Sequence, residues 1–158
     1  MNTITANVAQ PFALRAASQF TTTLDRLAPL ADLLLRLWVA YAFFVSGLTK
    51  IESWDSTLLL FQYEYHVPLL PPALAAYLGT ATELGMPVFV ALGSGGRIAA
   101  AILFVFNIVA VISYPDLMPA GLEQHKVWGL MLFVVLARGP GRLSVDHWLA
   151  GRYGRRAN

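Results

Sequence analysis

Cysteine is missing altogether from the 158 residues of this chain. That excludes disulfides, cysteine-ligated iron–sulfur clusters, covalently attached c-type haem and thiol redox chemistry. Electron transfer would need a non-covalent cofactor, a quinone or a partner protein. Charge is scarce as well: Asp, Glu, Lys and Arg make up 13% of the residues, against 57% hydrophobic residues and a mean hydropathy of +0.59. Soluble domains carry about 25% charge, so this composition belongs to a chain solvated by lipid. The net charge of +2 and pI near 9.2 do not indicate nucleic acid, because the basic residues form no binding stripe.

Catalytic and metal-binding patterns are equally sparse. The three histidines, His66, His125 and His147, are scattered, with no H-x-x-H or E-x-x-H spacing from which to build a metal site or a haem b ligand pair. Gly93-Ser94-Gly95-Gly96-Arg97 reads as a tight turn between helices, not as a phosphate loop. Nothing resembles a nucleophile with its base.

What the chain does have is four apolar runs, at about 30–49, 72–92, 98–114 and, more weakly, 121–138. Each of the first three approaches the roughly 20 residues that an α-helix needs to cross a hydrocarbon core. The fourth has an uncharged core only from Val127 to Ala137, and reaching back to Gly121 takes in Glu123, Gln124, His125 and Lys126. The expected fold is all-α: an integral membrane four-helix bundle spanning residues 30–138. Residues 1–29 are expected to form a cytoplasmic, partly ordered interfacial segment, with disorder as the alternative, and do not read as a cleaved signal. An outer loop at 51–71 contains a short aromatic helix, serving as an interfacial anchor or as a lid. Residues 139–158 form a basic tail, with Ser144 as the N-cap of a short helix resting on an anionic leaflet. Four crossings put Arg15, Arg26, Arg97, Arg138, Arg142, Arg152, Arg155 and Arg156 on one side, with only Lys50 and Lys126 on the other. The positive-inside rule then makes both termini cytoplasmic.

Three runs carry polar groups that cost free energy in a membrane: Arg36, Glu83 and Asn107. An ionisable group there costs at least about 2.5 kcal/mol and usually faces a partner in the interior. Arg36, Ala40, Phe43, Gly47 and Lys50 fall on one helical stripe, as do Ala75, Gly79 and Glu83. Depths counted at 1.5 Å per residue place Arg36 roughly 10 Å in, Glu83 and Asn107 roughly 14 Å, and His125 and Lys126 roughly 17–18 Å, with Lys50 at the far surface. Arg36 is therefore the expected ion partner of Glu83, with Lys126 as the competitor. A purely architectural role is an even alternative for Arg36 and Glu83, and is the preferred reading for Asn107.

Several strings resemble the DoxX family of small bacterial membrane proteins. They are the Arg36 span ending in Ser46-Gly47-Leu48-Thr49-Lys50, Glu83 in the second span, Gly96-Arg97 before the third, and Gly139-Pro140-Gly141-Arg142-Leu143-Ser144-Val145-Asp146. Lys50-Ile51-Glu52-Ser53-Trp54-Asp55 and the string Val109 to Asp116 resemble a subgroup encoded beside peptide-modifying enzymes and bufferin-like metal-stress proteins. The resemblance implies a four-helix bundle in the bacterial inner membrane and links to quinone oxidoreductases and oxidative-stress complexes. Two functions stay open. One is the membrane subunit of a redox or stress-related oxidoreductase system that binds quinone. Glu83 then handles the proton, Arg36 sets its charge state, His125 relays outward, and Lys50, Asn107 and Lys126 are candidate binding groups. The other is a non-catalytic scaffold, assembly factor or small transporter for a metal or oxidative-stress system. Either implies a protein partner in the bilayer, and a homo-oligomer stays open.

Overall fold

The computed structural model describes residues 12–153, with side chains from residue 18 onward. The N-terminal residues before Phe12 and the basic positions Arg155 and Arg156 lie outside the described residues, as does the side chain of Arg15. Six helices follow one another: α1 Phe12–Glu52, α2 Trp54–Tyr63, α3 Pro72–Leu92, α4 Gly96–Ser113, α5 Pro119–Arg138 and α6 Val145–Tyr153. There is no strand among the described residues. Helices α3 and α5 both start on a proline at the first helical position, where the missing N–H costs nothing and the fixed φ suits a helix.

Among the described residues three helices are long and apolar enough to cross a membrane: Ser18–Glu52 within α1, Pro72–Leu92 and Gly96–Ser113. Helix α1 has 41 residues, roughly 60 Å at 1.5 Å per residue, or about twice a hydrocarbon core. It runs unbroken from well before the expected start at residue 30, straight through Pro29. The hydrogen bond lost there is to the carbonyl of Asp25, in an exposed stretch where solvent can replace it.

Helix α1 packs on α3, α3 on α4, and α4 on α5, which closes back on α1; α2 lies across α3 and α1. The main core is made by Val39, Phe43, Val90, Leu103, Leu132 and Val135, and a second cluster by Phe61, Ala75 and Ala76. The outward faces are apolar, with Leu34, Tyr41, Val105 and Leu130 among the exposed side chains, as expected where lipid replaces water. The buried stripes are those expected from spacing: Arg36, Ala40, Phe43 and Gly47 on α1, and Ala75, Gly79 and Glu83 on α3.

The α3–α4 turn and the segment after α5 interlock at one end. Gly93 (φ 65°) and Gly95 (φ 57°) both adopt the left-handed conformation that glycine enters without penalty. Asp146 accepts hydrogen bonds from the backbone N–H groups of Gly95 (2.8 Å) and Gly96 (3.0 Å), so α4 is capped by a residue fifty positions away. The Asp146 N–H donates to the Gly93 carbonyl (3.0 Å). Ser144 caps α6, its Oγ accepting from the His147 N–H at 3.2 Å. The motif Gly139–Asp146 is thus a clasp on the α3–α4 turn.

Candidate functional site

Lys50 and Glu83 form the only ion pair between α1 and α3 among the described residues, with Nζ 2.5 Å from Oε2. Ser46, one turn before Lys50, bridges the pair. Its Oγ donates to Glu83 Oε1 (3.0 Å) and accepts from Lys50 Nζ (3.0 Å). Both charged side chains are largely shielded, 16% and 7% exposed. Gly47 makes the approach of the two helices feasible, since a Cβ there would stand 3.1 Å from the backbone carbon of Glu83 and 2.9 Å from Leu84. Thr57 of α2 donates to the Lys50 carbonyl at 2.8 Å and anchors the end of α1.

This pairing corrects the expected Arg36–Glu83 bridge. Arg36 is 1% exposed and lies at the opposite end of the helices. Its guanidinium donates to the carbonyls of Val90 (3.2 Å), Ala91 (3.1 Å) and Leu143 (2.5 Å). A side chain in a helix points back toward the N-terminus of that helix. Along α1 that direction carries Arg36 outward to the clasp and Lys50 inward to Glu83. Lys50 is therefore part of the buried seam and not a far-surface residue. Arg36 works as a cap on the carbonyls at the C-terminus of α3, sharing that of Val90 with the Gly93 N–H, where positive charge also meets the negative end of the helix dipole. Lys126 does not join the seam either: it is exposed and pairs with Glu123 at 2.6 Å, because its own helix turns it outward.

A second polar station joins α4 to α5. Asn107 Nδ2 donates to the His125 carbonyl (3.0 Å), and its Oδ1 lies 2.8 Å from His125 Nδ1, so the imidazole carries its proton on Nδ1 to complete the pair. Asn107 is 4% exposed and has room because position 129 is glycine, where a Cβ would stand 3.2 Å from Nδ2. His125 also packs edge-on against Trp128, at 5.0 Å between centroids.

Between the two stations lies a cavity of about 230 Å³. Ser46, Lys50 and Glu83 line it from α1 and α3, and His125 from α5. Its apolar walls include Phe61, Leu78 and Phe106. Over it lie Tyr65, Val67 and Leu70, from the segment between α2 and α3. That segment is fastened by the His66 N–H donating to the Ser113 carbonyl at 2.7 Å and by Tyr65 packing edge-on against Phe61 (5.0 Å) and Tyr114 (5.1 Å). Burial raises the Tyr65 phenol above its usual range, helped by Tyr114, Glu64 and Glu83 nearby, so it stays a neutral hydroxyl. Ser113, 3% exposed, also lines the cavity, and its hydroxyl has no hydrogen-bond partner. Ser46, Ser113 and Tyr65 were not among the expected site residues. Ser46 could have been found from its one-turn spacing to Lys50, whereas nothing in sequence marks Ser113 as a site residue. Among the described residues no three His, Asp or Glu side chains converge as metal ligands.

Apolar helices long enough to span, a buried ion pair between two of them and a half-enclosed cavity beside it define a small multi-pass membrane protein with an intramembrane polar site. The model of the DoxX family matches residues 31–115, and the chain belongs to that family. The match contains Arg36, Lys50, Glu83 and Asn107 but ends before His125. No curated protein and no solved structure matches the chain.

Proposed function

We propose that this DoxX protein is the membrane subunit of a redox or stress-related oxidoreductase system, and that a quinone head group occupies the cavity beside Glu83. The observation that carries this reading is the cavity's wall. A buried carboxylate–ammonium pair stands in an otherwise apolar pocket with an unpartnered buried hydroxyl, Ser113. Sites for drug-sized ligands measure about 300–1,000 Å³, so 230 Å³ suits one ring more than a large molecule. Lys50 and Ser113 are hydrogen-bond donors suited to ring carbonyls, while the Ser46 hydroxyl is already spent on Glu83, and Glu83 is a carboxylate able to hold or release a proton next to them. His125, held by Asn107 on the cavity's other wall, is the group placed to pass that proton on. A quinone bound there supplies two-electron chemistry, and the electrons come from a partner protein, since the chain has no cysteine ligands of its own.

The topology proposed with this function is four crossings, with α5 as the fourth and both termini on the cytoplasmic side of a bacterial inner membrane. The packing of α5 against α4 and α1, with Gly129, Leu132 and Val135 buried, supports it. Because the chain lacks cysteine, Leu69→Cys and Arg152→Cys report orientation directly. An impermeant maleimide added to intact cells labels the first and not the second.

Native mass spectrometry of protein extracted gently from its own membrane tests the site. Retained quinone that is lost in Glu83→Gln and weakened in Ser113→Ala supports the proposal. A protein partner retained without quinone moves the function to the scaffold or assembly factor of a metal-stress system of the bufferin-like kind.

A further inference from the structure

A second site lies at the other end of the helices. Arg97 at the start of α4, Arg138 at the end of α5 and Arg142 in the clasp line one groove of about 410 Å³, together with His147. All four are exposed. The clasp's own geometry brings them together: Arg97 Nη2 reaches the Ala137 carbonyl at 3.4 Å and lies over Gly139, where a Cβ would stand 3.2 Å from its Nε. Two carboxylates are close. Asp146 is turned onto the backbone N–H groups of Gly95 and Gly96, and Asp32 stands 3.7 Å from Arg138 Nε. Three guanidiniums thus share one groove with one lining carboxylate, Asp146, while Asp32 pairs loosely with Arg138 from outside it.

The groove sits at the start of the candidate span α4 and at the end of α5, the crossing proposed above, so on that topology its level is that of lipid head groups. Exposed Trp148 and Tyr153 of α6 stand at the same end, as interfacial aromatic residues do. Arg152 lies over the Trp148 ring at 5.5 Å. Further along the same two helices lies a mainly apolar trough lined by Phe104, Ile108, Leu130 and Phe133, with Asn107, His125 and Lys126 in its wall. A head-group pocket and an acyl trough therefore lie on the same pair of helices. Arginine's planar fork matches phosphate oxygens in pairs, and basic pockets at span ends are recognised sites for anionic lipids.

We infer that the Arg97–Arg138–Arg142 groove is a specific site for the phosphate head group of an anionic phospholipid whose acyl chain lies in the α4–α5 trough. The arginine groove shares no residue with the Glu83 cavity, although the trough meets His125 from its other side, and the inference holds whether or not that cavity binds quinone.

The test is lipid retention by the full chain in neutral detergent, measured by native mass spectrometry after addition of phosphatidylglycerol, cardiolipin or phosphatidylcholine. The expected result is one tightly retained anionic lipid, no comparable retention of phosphatidylcholine, and a loss of about tenfold or more in Arg97→Gln/Arg138→Gln. Arg152→Gln, outside the groove, retains the lipid. Should the double variant fold poorly, Arg142→Glu alone gives the same loss. Equal retention of phosphatidylcholine overturns the inference, as does equal loss in Arg152→Gln. Displacement of the lipid by inorganic phosphate at matched ionic strength also overturns it, since the groove would then be a free-phosphate site.

Discussion

Lys50 Nζ lies 2.5 Å from Glu83 Oε2, which makes the end of α1 and the middle of α3 one electrostatic unit. Removing one member of a buried pair strands the other charge and costs about 3–5 kcal/mol, whereas removing both is often nearly neutral. Lys50→Met should therefore destabilise the protein by about 3 kcal/mol. The double variant Lys50→Met/Glu83→Gln should recover most of that loss. Equilibrium unfolding in mixed micelles measures the coupling, and additive losses would show that the two groups act independently.

Arg36 gives a different prediction, because its partners are carbonyls and not a carboxylate. Three acceptors on α3 and in the clasp share one planar guanidinium, and a lysine ammonium cannot spread to all of them. Arg36→Lys should lose about 2–3 kcal/mol despite keeping its charge, while leaving the quinone retention proposed for the Glu83 cavity unchanged. If Arg36 instead sets the charge state of Glu83, the lysine variant would keep its stability and change binding.

The clasp can be tested at Asp146. Its carboxylate serves α4 as an N-cap supplied from a distance, so Asp146→Ala should cost about 1 kcal/mol. It should also release the segment after α5, and faster proteolysis between Arg138 and Arg152 is the expected readout. Asp146→Asn, which keeps one acceptor oxygen, should fall between the two.

The buried stripes were legible in sequence because helical periodicity places residues on a face whatever the tertiary fold. Arg36, Ala40, Phe43 and Gly47 are buried as that spacing requires, as is Glu83. The pairing of charges was not legible. Counting depth from Cα positions put Arg36 and Glu83 within roughly 4 Å of one another. Two long side chains on α1, both leaning toward its N-terminus, then exchange places: Arg36 reaches out to the clasp and Lys50 reaches in. Asn107 makes interhelical hydrogen bonds, but its partner His125 could be found only once α4 and α5 were set side by side. Asp146 could be read from sequence only as part of a tail, since an N-cap normally belongs to its own helix. Ser113 lies in the string that resembles a subgroup, but nothing marks it there as a site residue, because a serine ending an apolar helix is ordinary and its lack of a partner emerges only from packing.

The Tyr65 hydroxyl sets the alkaline limit of the cavity's roof. Burial raises this phenol first, with Tyr114 next and the carboxylates Glu64 and Glu83 after it. A raised folded-state value means that the neutral form is favoured by folding. The stability it contributes is therefore complete below the unfolded phenol's value, about 10, and is lost as pH rises through the higher folded value. Thermal stability in detergent should thus decline above about pH 10, and the decline should be shallower in Tyr65→Phe, which has nothing to ionise. Phenolate absorbance near 295 nm, as the difference between wild type and Tyr65→Phe, should show the missing group titrating after a free tyrosine. A difference spectrum that titrates like free tyrosine would mean that the Tyr65 phenol is open to water in the pH range where it titrates, and that it does not seal the cavity there.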